Sequence, residues 1–240
     1  MKLQHYLGGL EGLEQSIFEK RVFVQPWEER IFGIHVAMMA LSNHLETMKA
    51  VPTQFKSFWS WGHLRKGAEG LNPFDYFTYR YYEKWLGGIS EFFVESEYVA
   101  PEELDSKTAA YLQNPAIPLP QGGEAAIDKR VMEYLRVGDS PKYDVTIEPT
   151  FKAGDVVTVR NPLPVAHCKL PGYLRTKQGT VVEVYEGAYS YYFPTGDGIG
   201  DPMPIYNVKF DSHQIWGDLT EPQTWIYVQI FEAYLETQKL

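Results

Sequence analysis

The 240-residue chain sets 31 Asp and Glu against 22 Lys and Arg, a formal charge of −9, which leaves too little positive surface for a nucleic-acid footprint. Its length suits one large domain or two smaller ones, and an aromatic share of 15% sets it apart from disordered chains. Cys168 is the only cysteine, which excludes an intrachain disulfide and a cysteine-rich metal site on this chain and points to a reducing compartment. With no secretory apolar core near Met1 and no run approaching the roughly 20 apolar residues of a membrane span, the expectation is a soluble cytoplasmic protein.

In chain order, Pro26 at a first helical position, with Glu28 and Glu29 in the first turn, predicts a helix to about Met48. Its apolar stripe is read as Trp27, Ile31, Ile34 and Met38. A second helix is expected from about Thr53 to Gly70, broken by Leu71-Asn72-Pro73. A third, from about Phe74 to Ser96, carries Phe74, Phe77, Tyr81, Trp85 and Ile89 near helical spacing. Gly87-Gly88 inside it costs roughly 1 kcal/mol per glycine, which predicts close packing against a neighbour. Pro101-Glu102-Glu103 opens a short helix ending near Asn114, and Pro115 to Gly123 is a loop. A last helix covers about Glu124 to Arg136, with Gly138 suited to its C-terminal stop.

After Pro149 the pattern turns to short β-branched and aromatic runs: Val156 to Val159, Thr180 to Val184, Ile205 to Phe210 and Trp225 to Val228. That is the pattern of a small β-barrel, in an α+β chain divided into a helical domain at 1–138, a linker at 139–150 and a β domain at 151–240. The glycine-rich stretch from Thr195 to Pro202 has neither a helix nor Gly-Lys-Ser/Thr after it, so it reads as a hairpin loop rather than a phosphate site.

Ala166 to Gly179 is the densest functional signal. Between Asn161-Pro162 and an expected turn at Lys177-Gln178-Gly179 it presents His167, Lys169, Tyr173 and Arg175, a set of donors with no nucleophile or metal-ligand set. Half of a site, completed by another chain, is the reading that this composition suggests.

The ordered motifs resemble the β subunit of nitrile hydratase. Gly8-Gly9-Leu10-Glu11-Gly12 is similar to that family's glycine-rich N-terminal arm, and Trp27-Glu28 to its first helix. Arg65 to Glu69 followed by Leu71-Asn72-Pro73 is similar to its Arg-x-Gly-Ile-Glu helix, and Tyr81-Tyr82-Glu83-Lys84-Trp85 to its Tyr-Tyr-x-x-Trp signature. Ala166, His167, Lys169, Pro171, Tyr173, Arg175, Thr176 and Gly179 fall on the pattern Gly-His-x-Arg-x-Pro-x-Tyr-x-Arg-Gly-x-x-Gly. Val208-Lys209-Phe210, Trp216-Gly217 and Phe231 to Leu235 resemble its closing segments.

The resemblance implies a fold of an N-terminal arm, a helical domain and an SH3-like small barrel. It also implies a partner α subunit, in a heterodimer or heterotetramer. That partner would hold low-spin Co(III) or Fe(III) in a Cys-x-x-Cys-Ser-Cys claw with two oxidised cysteines, and no metal would sit on this chain. Two β-subunit arginines donate to the oxidised sulfurs in the family. Arg65 falls at the first and Lys169 at the second, where lysine keeps the charge but loses the planar fork. Oxidised thiolates at a buried interface are costly unless paired, and hydrogen bonds to charged groups contribute about 1.5–3 kcal/mol each.

The resemblance further places Tyr81, Tyr82, Trp85 and His35 at a substrate channel, with His167, Tyr173 and Arg175 at the subunit interface. Plainer readings stand beside these: Arg65 paired with Glu69 on a solvated helix face, Tyr81 and Trp85 as core, and His35 on a helix surface. The activity implied is hydration of a nitrile to an amide. The alternatives are a thiocyanate hydrolase-like subunit, disfavoured by the continuous chain, and a non-catalytic activator or metallochaperone, disfavoured by the β domain. A stand-alone barrel adaptor is a further reading.

Overall fold

The computed structural model describes residues 20–42, 51, 53–162, 168–190 and 200–237. The glycine-rich arm at Gly8 to Gly12, His167 and most of the Thr195 to Pro202 loop lie outside the described residues. The chain is α+β, and the boundary between its two compact units falls between Asp139 and Ser140.

Helix α1 spans Pro26–Leu41. Pro26 starts it as expected, and the buried Glu28 carboxylate turns back to accept the N–H groups of Val24 and Gln25 and to pair with Arg80. The helix stops at Leu41, short of the expected Met48, because Ser42 takes up a non-helical ψ of 138°. Its buried face also differs: Ile31, His35, Met38 and Met39 point inward, at the i, i+4, i+7, i+8 spacing of one helix face, while Ile34 is 40% exposed.

Helix α2 spans Trp61–Gly70, eight residues shorter at its start than expected, because Ser60 is its N-cap. The Ser60 hydroxyl accepts the His63 N–H at 3.4 Å and pairs with His63 Nδ1 at 2.8 Å. The single helix expected from Phe74 to Ser96 is two, α3 (Pro73–Thr78) and α4 (Tyr81–Glu95). Arg80 breaks them: its N–H donates to the Glu83 carboxylate at 2.6 Å, a capping contact that starts α4 afresh.

The expected close approach of the glycine pair is present. A Cβ on Gly88 would lie 2.7 Å from the Gly67 carbonyl carbon, so α2 and α4 cross backbone to backbone. Helices α5 (Pro101–Gln113) and α6 (Ala125–Val137) begin and end close to their sequence signals, with Gly138 closing α6 at φ +74°. The helical core gathers Ile31, Met38, Met39, Trp59, Leu64, Tyr82, Trp85 and Ile89.

In the second unit β2 (Val156–Val159), β3 (Gln178–Val184), β5 (Ile205–Asp211), β6 (Trp225–Phe231) and β7 (Leu235–Thr237) form one antiparallel sheet in the order β6-β5-β3-β2-β7. Among the described residues β6 and β7 remain its edges, with no pairing between them. A pair of two-residue strands, β1 (Lys142–Tyr143) and β4 (Ala188–Tyr189), joins part of segment 139–150 to this unit. A short helix α7 (Ser212–Trp216) follows β5.

The turn expected at Lys177 to Gly179 lies earlier. Thr176 holds the left-handed conformation at φ +64°, and Gly179 is already in β3, opposite Val157. Its missing side chain serves packing, since a Cβ there would come within 2.6 Å of Val208 and 2.8 Å of the Phe210 ring. Among the described residues no helix is long and apolar enough to cross a membrane.

Candidate functional site

Within the helical unit, α2, α3 and α4 enclose a cavity of about 170 Å³ lined by Trp61, Leu64, Arg65, Ala68, Tyr76, Tyr81, Lys84 and Trp85. Three residues read from the sequence meet here. Arg65 reaches it from α2, while Tyr81 and Trp85, one turn apart on α4, bring their rings to 5.2 Å. Tyr81 is 64% exposed and Trp85 is buried, so one ring forms the rim and the other the floor.

Arg65 does pair with Glu69, but the face is not a solvated one: the Glu69 side chain is 1% exposed and the Arg65 side chain 48%. The guanidinium therefore spans a buried carboxylate and an open cavity, which fixes its position more firmly than a surface pair would.

Two sequence candidates sit one layer away from the cavity wall. Tyr82 is buried against Phe23 and Trp85, at ring separations of 5.3 and 5.0 Å. Burial, then the neighbouring Tyr81 and Glu28 charges, push its phenol above the ordinary range. His35 is completely buried rather than on a helix surface. Its Nδ1 accepts the Trp59 indole N–H at 3.0 Å, and its ring stands 4.3 Å from Trp61 and 5.0 Å from Trp85, both of which line the cavity. Its Nε2 has no hydrogen-bond partner among the described residues, and burial pushes its pKa down to about 4.

Sequence reading missed Trp61, Tyr76 and Lys84. The Lys84 ammonium lies 4.6 Å from the Tyr76 ring centroid. Burial, then the charge of Arg65, hold it below the usual lysine range. Its position three residues after Tyr81 was the available signal, because i and i+3 share a helix face.

In the sheet unit, Lys169 is exposed on the segment before a 3-10 turn at Gly172–Leu174. Its backbone N–H donates to Tyr234 Oη at 3.0 Å, which ties this segment to the sheet core. Arg175 braces its own segment: its guanidinium donates to Asn161 Oδ1 at 3.1 Å, to the Pro162 carbonyl, and to Cys168 Sγ at 3.3 Å. Tyr173 packs its ring 5.5 Å from Trp216. Lys169, Tyr173 and Arg175 therefore lie on a loop and at a 3-10 turn. Among the described residues no cluster of three or more His, Cys, Asp or Glu is disposed to hold a metal ion; the donor set suits anions.

A family model described as nitrile hydratase beta subunit, N-terminal, matches residues 1–131, and one described as nitrile hydratase beta subunit, C-terminal, matches residues 140–237. The chain belongs to the nitrile hydratase beta subunit family. The cobalt-containing nitrile hydratase subunit beta of Pseudonocardia thermophila is 29% identical over 235 residues, covering 96% of this chain and 94% of that one. The low-molecular weight cobalt-containing nitrile hydratase subunit beta of Rhodococcus rhodochrous is 27% identical over 236 residues, covering 96% and 97%. A thiocyanate hydrolase chain from Thiobacillus thioparus, solved as the apo-enzyme, aligns with 50% of this chain and all of its own at a TM-score of 0.33 and 18% identity.

Proposed function

We propose that this nitrile hydratase family member is the subunit that does not hold the metal in a nitrile-hydrating lyase, in which a nitrile and water give the corresponding amide. The observation that carries the reading is the meeting of Arg65, Tyr81 and Trp85 on one small cavity, in a chain that its family matches almost end to end. The metal, cobalt or iron, belongs to a partner α subunit with a Cys-x-x-Cys-Ser-Cys claw, and when bound it supplies Lewis acidity to the nitrile. Cobalt is named for both relatives above.

On this chain the aromatic walls of the cavity exclude water and seat the organic part of the nitrile. Arg65 and Lys169 hold the oxidised cysteine oxygens, whose negative charge is costly at a buried interface without such donors. The buried Glu69 keeps the Arg65 guanidinium in place for that contact. Tyr173 and Arg175 shape the loop that presents Lys169, and His167 belongs with them at the interface. The exposed aromatic side chains of Trp61, Phe74, Phe77 and Tyr81 offer apolar area for the partner. The finer architecture proposed is an SH3-like barrel over 151–240, supported by the 3-10 turn Glu232–Tyr234 that carries β6 directly into β7. It follows a linker at 139–150, in a cytoplasmic heterodimer or heterotetramer.

Co-expression with a claw-bearing α chain tests this. The expected result is a co-purifying complex that contains cobalt or iron and hydrates nitriles, while this chain alone is inactive. Absence of such a complex removes the basis of the reading. In the complex, Lys169→Ala abolishes turnover and permits over-oxidation of the claw, read by mass spectrometry. Unchanged turnover with unchanged sulfur oxidation would sink that assignment.

A further inference from the structure

The cavity between α2, α3 and α4 holds two cations, Arg65 and Lys84, and no carboxylate among its lining residues. The two are not equivalent. Arg65 is countered by the buried carboxylate of Glu69. Among the described residues the Lys84 ammonium has the face of Tyr76 and the like charge of Arg65 as its neighbours, and no carboxylate within ion-pair reach. Its own helix supplies Glu83, but that side chain is taken by Arg80.

A half-buried ammonium beside a second cation costs free energy that a solvated lysine avoids. The depressed proton affinity of Lys84 is the sign of that cost. An anion seated in the cavity removes it.

From this we infer that Lys84 is a specificity-determining residue, which makes the cavity a seat for small nitriles bearing a negative charge. The inference rests on the nitrile-hydrating reading for its chemistry. The shared feature of the occupant is a C≡N group joined to an anionic group within a few heavy atoms. The cavity, about 170 Å³, is well below the roughly 300–1,000 Å³ of sites for drug-sized ligands. Short carboxylate-bearing nitriles such as cyanoacetate meet this description, and so does thiocyanate. The carboxylate is a spectator in the hydration: cyanoacetate and one water give malonamate, the half-amide of malonate, with water added across the C≡N bond alone. The Lys84 ammonium takes the carboxylate, while the rings of Trp61, Tyr81 and Trp85 enclose the rest.

The test compares cyanoacetate with its neutral near-isostere cyanoacetamide in the complex with the α partner. Wild-type complex is expected to prefer the anion. Lys84→Met, which keeps the stem and removes the charge, lowers the anionic-to-neutral ratio of kcat/KM by about tenfold or more, the scale of one charge-assisted hydrogen bond. The loss falls on KM for the anion, and Lys84→Arg recovers most of it. A readout independent of turnover is quenching of tryptophan emission in the full chain, titrated separately with cyanoacetate and thiocyanate. Quenching that saturates in wild type and is lost in Lys84→Met supports the seat, and the anion that gives it identifies the source of the charge. If the complex hydrates cyanoacetamide but the ratio is the same in wild type and Lys84→Met, the inference is overturned and the nitrile-hydrating reading stands. If no nitrile is turned over while Lys84-dependent quenching persists, that reading falls and the anion seat remains. If neither appears, both are overturned.

Discussion

Acid should destabilise the helical unit through His35. The imidazole is completely buried, and its Nδ1 accepts the Trp59 indole N–H, so the neutral ring carries its proton on Nε2. A second proton would have to go onto Nδ1, which breaks that hydrogen bond and puts a charge among Trp59, Trp61 and Trp85. Burial accordingly pushes the pKa down to about 4 from 6.5. Because the folded value lies below the unfolded one, the unfolded chain binds more protons between them. Stability is therefore present in full above about 6.5, falls as pH descends through the window, and stops changing on this account below about 4.

At about 1.36 kcal/mol per pH unit, the gap amounts to about 3 kcal/mol. Carboxylates titrate in the same region, so the decisive quantity is a difference: urea unfolding followed by tryptophan emission from about pH 7 to about pH 4, in wild type and in His35→Gln. The variant starts less stable, since glutamine fits the ring-shaped site poorly, but its stability falls with acid by about 3 kcal/mol less than that of wild type. Equal acid losses in the two proteins would refute the assignment of His35 as a buried neutral ring.

Three further outcomes follow from contacts described above. Gly88→Ala places a Cβ 2.7 Å from the Gly67 carbonyl carbon and should cost about 1–3 kcal/mol by overpacking, read as a lower urea midpoint; an unchanged midpoint would mean that α2 and α4 do not cross here. Gly179→Ala drives a Cβ into Val208 and Phe210 and should lower the thermal midpoint of the sheet unit, followed by near-ultraviolet circular dichroism. Tyr206 donates to the Glu232 carboxylate and accepts the Phe151 N–H at 3.3 Å, so Tyr206→Phe should cost about 1–3 kcal/mol in chemical unfolding. Burial, then Glu232, also raise the Tyr206 phenol well above its ordinary range.

Where a helix end is written in local chemistry, sequence alone located it: Pro26, Pro101 and Gly138 mark ends that the structure places within a residue or two. The ends that were missed depend on partners that propensity does not register. Ser60 caps α2 partly through a histidine ring, and Arg80 is a poor cap by type whose N–H is rescued by Glu83. The inward turn of His35 was invisible to a hydropathy stripe, because its acceptor role for Trp59 is a tertiary pairing 24 residues away. In the candidate site, Arg65, Tyr81 and Trp85 were legible as motif positions. Lys84 occupies an unspecified place in the same signature, and only the packing of α2 and α3 against α4 turns it toward the cavity. The donors from Lys169 to Arg175 were legible as a group, but their conformation was not, since a 3-10 turn leaves no period in so short a stretch.

The crossing of Gly67 and Gly88 has a further consequence for how such a chain diverges. Arg65 and Ala68 on one side of the cavity, and Lys84 and Trp85 on the other, ride on helices whose spacing is fixed by these two glycines, neither of which lines the cavity. The gauge of the cavity is thus held remotely. A methyl group gained at either glycine pries the walls apart as a pair, so selection for a wider cavity has a route that leaves every cavity-lining side chain intact, at a cost in folding stability rather than in chemistry.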